Sequence, residues 1–192
     1  MFGFYPKHCG SLPLETERLI LRPLTLDDCE AIHRNWGSDT TVYEYMTTPV
    51  MPQPEDVELF LRRKLQAYKS ELTYYWGIFP KDVGECVGMV TVTEVGKYSL
   101  TGNLAYALGQ PWWGKGYAKE ASEAVLRLMF DTVGLRLMYG CHFVGNDRSG
   151  ATLRSLGMRF TGRSQTPISH HGKMRFFDSY ELSRKDYVAR TK

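Results

Sequence analysis

The chain has 192 residues, 43% hydrophobic and 23% charged, which sets the expectation of a single folded domain with a sizeable core and excludes a disordered polymer. Its 24 basic and 21 acidic residues leave a net charge of +3, too small to argue for a nucleic-acid partner, and no run approaches the roughly 18 to 20 apolar residues of a membrane span. Cys9, Cys29, Cys86 and Cys141 lack CxxC spacing and the apolar run Phe2 to Tyr5 is too short for a signal peptide, so a reduced, cytoplasmic protein without a metal site is expected.

Residues 1–14 hold glycine and two prolines without a sustained period and are expected to form an extended arm, in which His8 and Cys9 have no second ligand pair for a metal. Thr16 to Leu24 alternates as a first strand. Thr25 or Asp27 can cap a helix whose stripe is Cys29, Ile32 and Trp36 and whose stop is Gly37. Residues 38–52 read as a partly ordered connection containing Tyr43 and Tyr45. Pro54 starts a helix that runs to about Ser70, with Val57, Phe60, Leu61, Leu65 and Tyr68 inward and Arg62, Arg63 and Lys64 on a solvated face. Tyr74–Phe79 and Glu85–Val95 read as antiparallel strands across the turn 80–84, and Asn103–Leu108 as a further strand.

That strand delivers the chain to Gly109–Phe130, GQPWWGKGYAKEASEAVLRLMF. Gly114 and Gly116 permit a tight turn that brings backbone amides close to a ligand, and the apolar positions from Tyr117 to Met129 recur at helical spacing. The first turn of such a helix carries amides without intrahelical partners at the positive end of the dipole, an arrangement suited to phosphate or pyrophosphate. Two known phosphate loops do not match: the chain has no GxxxxGK followed by Ser or Thr, and Gly114, Gly116, Ala118 and Lys119 do not complete GxGxxG. Gly134 then stops the helix and Arg136–Val144 forms a strand. Asn146–Leu156 is a short helix closed by Gly157. Met158–Gly162 and Lys173–Leu182 form a terminal strand pair across the polar loop SQTPISHHGK, and residues 183–192 form a solvated basic tail. The order of elements predicts one three-layer α/β domain spanning residues 1–192, with a mixed, mainly antiparallel sheet and helices on both faces.

The string WWGKGYAKEA resembles the pyrophosphate loop of the GNAT superfamily of N-acetyltransferases, most closely the ribosomal-protein-alanine N-acetyltransferase branch. Asn146 to Ser149 followed by Leu156-Gly157-Met158 is similar to a second family block, and LETERLILRPL to the family's opening. One position departs from it: where the family has Arg or Gln three residues before the first glycine, this chain has Pro111, which lacks an amide hydrogen.

The resemblance implies acetyl-CoA as donor, its pyrophosphate over Trp113, Gly114, Lys115, Gly116, Tyr117 and Ala118. Its pantetheine arm would lie beside Tyr106, Ala107 and Leu108 and reach a splayed pair of parallel strands, Asn103–Leu108 and Arg136–Val144. It also implies Asn146 holding the pantetheine arm and Ser149 protonating the thiolate, with capping roles for both left open; holding both substrates together makes direct transfer to an amine sufficient, and the Leu108 amide is the candidate donor to the thioester carbonyl. Glu94, near a strand end, is the candidate base, acting directly or through water, beside the reading of it as a solvated carboxylate; His142 is read as structural and Cys141 not as a nucleophile. A peptide α-amine of pKa about 7.7 costs only about 1 kcal/mol to deprotonate at pH 7 and a lysine amine about 4.6 kcal/mol, so an α-amine acceptor makes little demand on a base. A protein N-terminus, a small amine or an antibiotic are the acceptors to weigh, with a non-catalytic acyl-CoA-binding module as the alternative and a homodimer left open.

Overall fold

The computed structural model describes residues 5–170 and 172–191. The chain enters through β1 (Leu14–Glu15) and β2 (Leu19–Arg22), where Leu19 and Leu21 are fully buried and Ile20 between them is exposed. Strict alternation of this kind fixes which face of a strand meets the core. The Thr25 backbone amide then donates to Asp28 Oδ2 at 2.8 Å, opening α1 (Cys29–Ile32), which runs into a π-helical turn at His33–Gly37. The connection that follows contains α2 (Thr40–Tyr43), capped by Asp39. Gln53 and Asp56 cap α3 (Pro54–Ala67), whose Val57 and Leu61 are fully buried.

Strands β3 (Tyr74–Pro80), β4 (Gly88–Thr93) and β5 (Thr101–Leu108) follow as an antiparallel meander. Helix α4 (Tyr117–Arg127) and its π-helical extension Leu128–Val133 cross to β6 (Leu137–Phe143), which lies parallel to β5. After α5 (Asp147–Ser155) come β7 (Arg159–Arg163), a small hairpin of β8 (Ile168–His170) and β9 (Lys173–Arg175), then β10 (Phe177–Ser183) and α6 (Arg184–Thr191). The main sheet runs β1-β2-β3-β4-β5-β6-β10-β7, and β5–β6 is its one parallel pair among the described residues.

Parity along the strands divides the core. Tyr75, Phe79, Met89 and Ala107 pack with Ile32, Trp36, Val57 and Leu61 on the α1–α3 side. Tyr74, Trp76, Val90, Leu104 and Leu108 pack with Tyr117, Ala121, Val125 and Met129 on the α4 side. This is the expected α/β sandwich of helix, mixed mainly antiparallel sheet and helix.

Four segments differ from the sequence expectation. Residues 184–191 are not a solvated tail: they form α6, and Tyr187 is buried with its ring stacked on Phe130 at 4.7 Å and its hydroxyl donating to Asp131 at 2.9 Å. The stretch Lys173–Leu182 is two strands, since β9 pairs back on β8 inside the segment read as a loop, and β10 inserts between β6 and β7. Lys64 leaves the solvated face and folds over aromatic rings, as described below. Glu85–Val95 is a strand only over Gly88–Thr93, because Glu94 adopts φ 59°, a left-handed conformation that ends the ladder. His171 and Lys192 of the loop and tail readings lie outside the described residues, as do residues 1–4 of the arm.

Candidate active site

The parallel pair carries the site. β5 and β6 are in register only at Thr101–Leu137, Gly102–Met138 and Asn103–Tyr139, after which β6 stays with β10 and a gap opens beside the end of β5. On the other edge of β5 the Gly109 amide donates to the Val87 carbonyl at 2.9 Å. In an antiparallel ladder alternate residues face alternate neighbours, so the amides of Tyr106 and Leu108 point away from β4 and into the gap. The Leu108 carbonyl accepts from Trp113 Nε1 at 2.7 Å, which anchors the turn that follows.

That turn is open to solvent at Gly114, Lys115 and Gly116. Gly114 and Gly116 have φ of 75° and 81°, and no protein atom lies within 4 Å of where a Gly114 Cβ would stand. A left-handed Gly116 then starts α4 without any side-chain cap, leaving the first-turn amides of Tyr117, Ala118 and Lys119 exposed to a ligand. A diphosphate fits such a bend: the backbone is bare, positively polarised and flanked by Lys115 and Lys119. From behind, Arg18 Nη1 donates to the Lys115 carbonyl at 3.0 Å while its guanidinium pairs with Glu120 at 2.6 Å. Burial alone would raise the Glu120 pKa, but hydrogen bonds from Thr16, the Arg18 amide and the Arg18 guanidinium hold it below the ordinary 4.5. Glu120 is thereby kept as the anchor of the Arg18 brace.

Two cavities meet at the gap. The first, about 430 Å³, runs from the glycine turn past Trp113, Tyr106, Ala107 and Leu108 to the start of α5. The second, about 970 Å³, lies on the α3 side and is walled by α3, the connection after α2, β4, β6 and the β8–β9 hairpin. Tyr45, Met46, Tyr106, Asn146 and Ser149 border both. At this junction Ser149 Oγ and the Tyr106 hydroxyl are 3.1 Å apart, and the Ser149 carbonyl also lies 3.1 Å from the Tyr106 oxygen. Burial pushes the Tyr106 phenol up to about 12, so it stays protonated. Asn146 Oδ1 accepts the Ser149 amide at 3.3 Å, capping α5.

The second cavity contains Glu94, exposed at the end of β4, and Cys141 on β6. Crowding by protein atoms, with the Glu94 charge adding to it, raises the Cys141 thiol above its ordinary 9.0, the opposite of what a nucleophile requires. His142 is buried, with Nδ1 against the Phe143 carbonyl at 2.9 Å and Nε2 3.4 Å from the Tyr180 hydroxyl. The connection after α2 divides its tyrosines: Tyr43 is buried and stacks on Trp36, whereas Tyr45 reaches across to the Gly145 carbonyl at 3.4 Å. Two wall residues have no local sequence signal. His170 Nε2 bonds the Glu44 carbonyl at 2.9 Å and its ring stacks on Phe143 at 4.5 Å, tying the hairpin to the wall. Arg148, just past the Asn146 cap, lies 3.7 Å over the Trp113 ring. Among the described residues no three His, Cys, Asp or Glu side chains cluster as a metal site would need, and no helix is long and apolar enough to cross a membrane.

The acetyltransferase (GNAT) domain family matches residues 18–159, a span that includes the glycine turn, the gap and the Asn146–Ser149 block. The ribosomal protein uS5-alanine N-acetyltransferase of Escherichia coli (strain K12) is 30% identical over 193 aligned positions, covering 98% of this chain and 98% of the relative. The fold is similar to that of a GNAT-family acetyltransferase from Bacillus anthracis (TM-score 0.79, 22% identity, 91% of this chain and 99% of the other). It is equally similar to a ribosomal-protein-S5-alanine acetyltransferase from Vibrio fischeri (TM-score 0.80, 18% identity, 92% and 99%). A family match over most of the chain and a relative aligned nearly end to end give one conclusion: this protein belongs to the GNAT family and is an N-acetyltransferase.

Proposed function

We propose that the protein transfers the acetyl group of acetyl-CoA directly to the α-amine of a protein or peptide N-terminus. The observation that carries this reading is the meeting of two separate cavities at one gap in the sheet, which lets donor and acceptor be held together without a covalent enzyme intermediate. The relative whose name states its acceptor acts on the alanine of a ribosomal protein. A cavity of about 970 Å³ accommodates several residues of extended chain.

In this reading the exposed turn at Trp113–Ala118 holds the diphosphate and the β5 edge holds the pantetheine arm. The neutral amine attacks the thioester carbonyl carbon, and the Leu108 amide donates to the oxygen as it becomes negative. Collapse breaks the C–S bond, and Ser149 Oγ, backed by the Tyr106 hydroxyl at 3.1 Å, supplies a proton to the departing thiolate. The amine proton leaves through water toward Glu94. Asn146 both caps α5 and faces the arm.

Incubation with acetyl-CoA and a panel of alanine-led peptides, polyamines and aminoglycosides, with free thiol as readout, tests the proposal. Peptide-dependent thiol release with mass gain at the N-terminal residue is expected. Tight donor binding with no amine-dependent thiol would favour a non-catalytic acyl-CoA module instead.

A further inference from the structure

Arg63 and Lys64 both line the acceptor cavity, and of the two Lys64 is the half-buried one. Its ammonium lies 3.9 Å from the centre of the Tyr75 ring and 5.3 Å from that of Phe60, half-buried in the wall of the acceptor cavity. Among the described residues no carboxylate comes within 4.0 Å of it, whereas Arg22, Arg34, Arg62 and Arg175 each have one. Asp56, in the same cavity, already accepts the Gln53 amide at 3.1 Å, and Glu94, just past the end of β4, forms no ion pair with Lys64. Aromatic faces compensate an ammonium for only part of the water it sheds. Loss of that water lowers the Lys64 pKa from its usual 10.5. A carboxylate entering the cavity would restore what is missing.

Strand register sets how far that carboxylate must lie from the reacting amine. Tyr75, under Lys64, is opposite Thr91, and Thr91 is opposite Ala105 beside the gap. Two strand spacings make roughly 10 Å to Ala105 and, with the three residues further along β5 to Leu108, roughly 14 Å to the proposed carbonyl donor. An extended peptide advances about 3.3 to 3.6 Å per residue, so with its α-amine at the gap the side chain of the second or third residue reaches Lys64. The carboxylate of a free amino acid, one residue's length from its own amine, falls short.

We propose that Lys64 is the anion-recognising residue of the acceptor cavity and that the enzyme selects peptide N-termini bearing an acidic side chain at the second or third residue. This rests on the peptide-acceptor reading above. The test uses the full chain, acetyl-CoA and alanine-led hexapeptides carrying Glu or Gln at positions 2 and 3, with thiol release followed for wild type, Lys64→Met and Lys64→Arg. Wild type should show a KM for the Glu peptides roughly tenfold lower than for the Gln peptides at similar kcat. Lys64→Met should remove that difference by raising the KM of the Glu peptides toward that of the Gln peptides, at an unchanged melting temperature, and Lys64→Arg should keep part of it. Equal KM values in wild type, or a preference that survives in Lys64→Met, overturn the assignment and leave the peptide reading standing. Acetylation of small amines with no turnover of any peptide overturns both.

Discussion

At the scale of single residues the site depends on what two glycines lack. A Cβ at position 114 meets no protein atom within 4 Å, so the main effect of a valine on the fold is the strain of a side chain at φ 75°, about 1 to 2 kcal/mol. Its side chain would stand in the proposed diphosphate site, against the exposed backbone of the turn. Gly114→Val should therefore raise the acetyl-CoA dissociation constant at least about tenfold, measured by calorimetry, while the melting temperature falls by only about 2 to 4 °C per kcal/mol. Ser149→Ala leaves the Asn146 cap in place, because that contact is made by the backbone amide. It should lower kcat by about 10²-fold with little change in donor affinity, the range found for general acids. The placement of Gly114, Gly116 and Ser149 along one cavity was legible in the sequence because the signals are local: a glycine pair before an amphipathic run, and Asn-x-x-Ser before another. Lys64 was not, since the ring that draws it inward comes from β3, ten or so residues on and across a turn.

At the scale of elements, α4 is held by its first turn. Glu120 joins it to the β1–β2 segment through Thr16 and Arg18, and the same Arg18 lies 4.9 Å over the Tyr117 ring and grips the Lys115 carbonyl. Because the folded Glu120 pKa lies below 4.5, this contact contributes its full stability above that pH and loses it as pH falls through the folded value. Glu120→Gln should be less stable than wild type at neutral pH by about 1 to 2 kcal/mol, discounted for the partial exposure of Arg18, and the difference should shrink below pH 4.5 in chemical denaturation. Donor affinity should weaken as well, since the brace supports the turn. Period and caps located β3, β5, α3 and α4 to within a few residues. The β8–β9 hairpin and α6 were hidden for a physical reason. Both are short and mostly polar, and their positions come from distant partners: Phe143 and Glu44 for the hairpin, Phe130 and Asp131 for Tyr187.

At the scale of the molecule, the expected order of strands and the single crossover through α4 are enough to place β5 beside β6, so the mixed sheet was readable before any coordinates. The splay of the pair came from the family resemblance and not from period or spacing, because a gap is defined by hydrogen bonds not made. Among the described residues only three register pairs join the strands up to residue 108 to those from residue 137 onward. A donor whose amide-bearing arm bonds the free edge of β5 binds the native state alone, so acetyl-CoA at about a hundred times its dissociation constant should stabilise the fold by about 2.7 kcal/mol, read as a rise of several degrees in melting temperature. Hydrogen exchange should slow at Tyr106 and Leu108 by more than the general slowing that the added global stability gives the buried amides of β3. The incomplete seam therefore leaves part of the sheet's edge for the donor to complete, and limited proteolysis should be slower with acetyl-CoA present than without it.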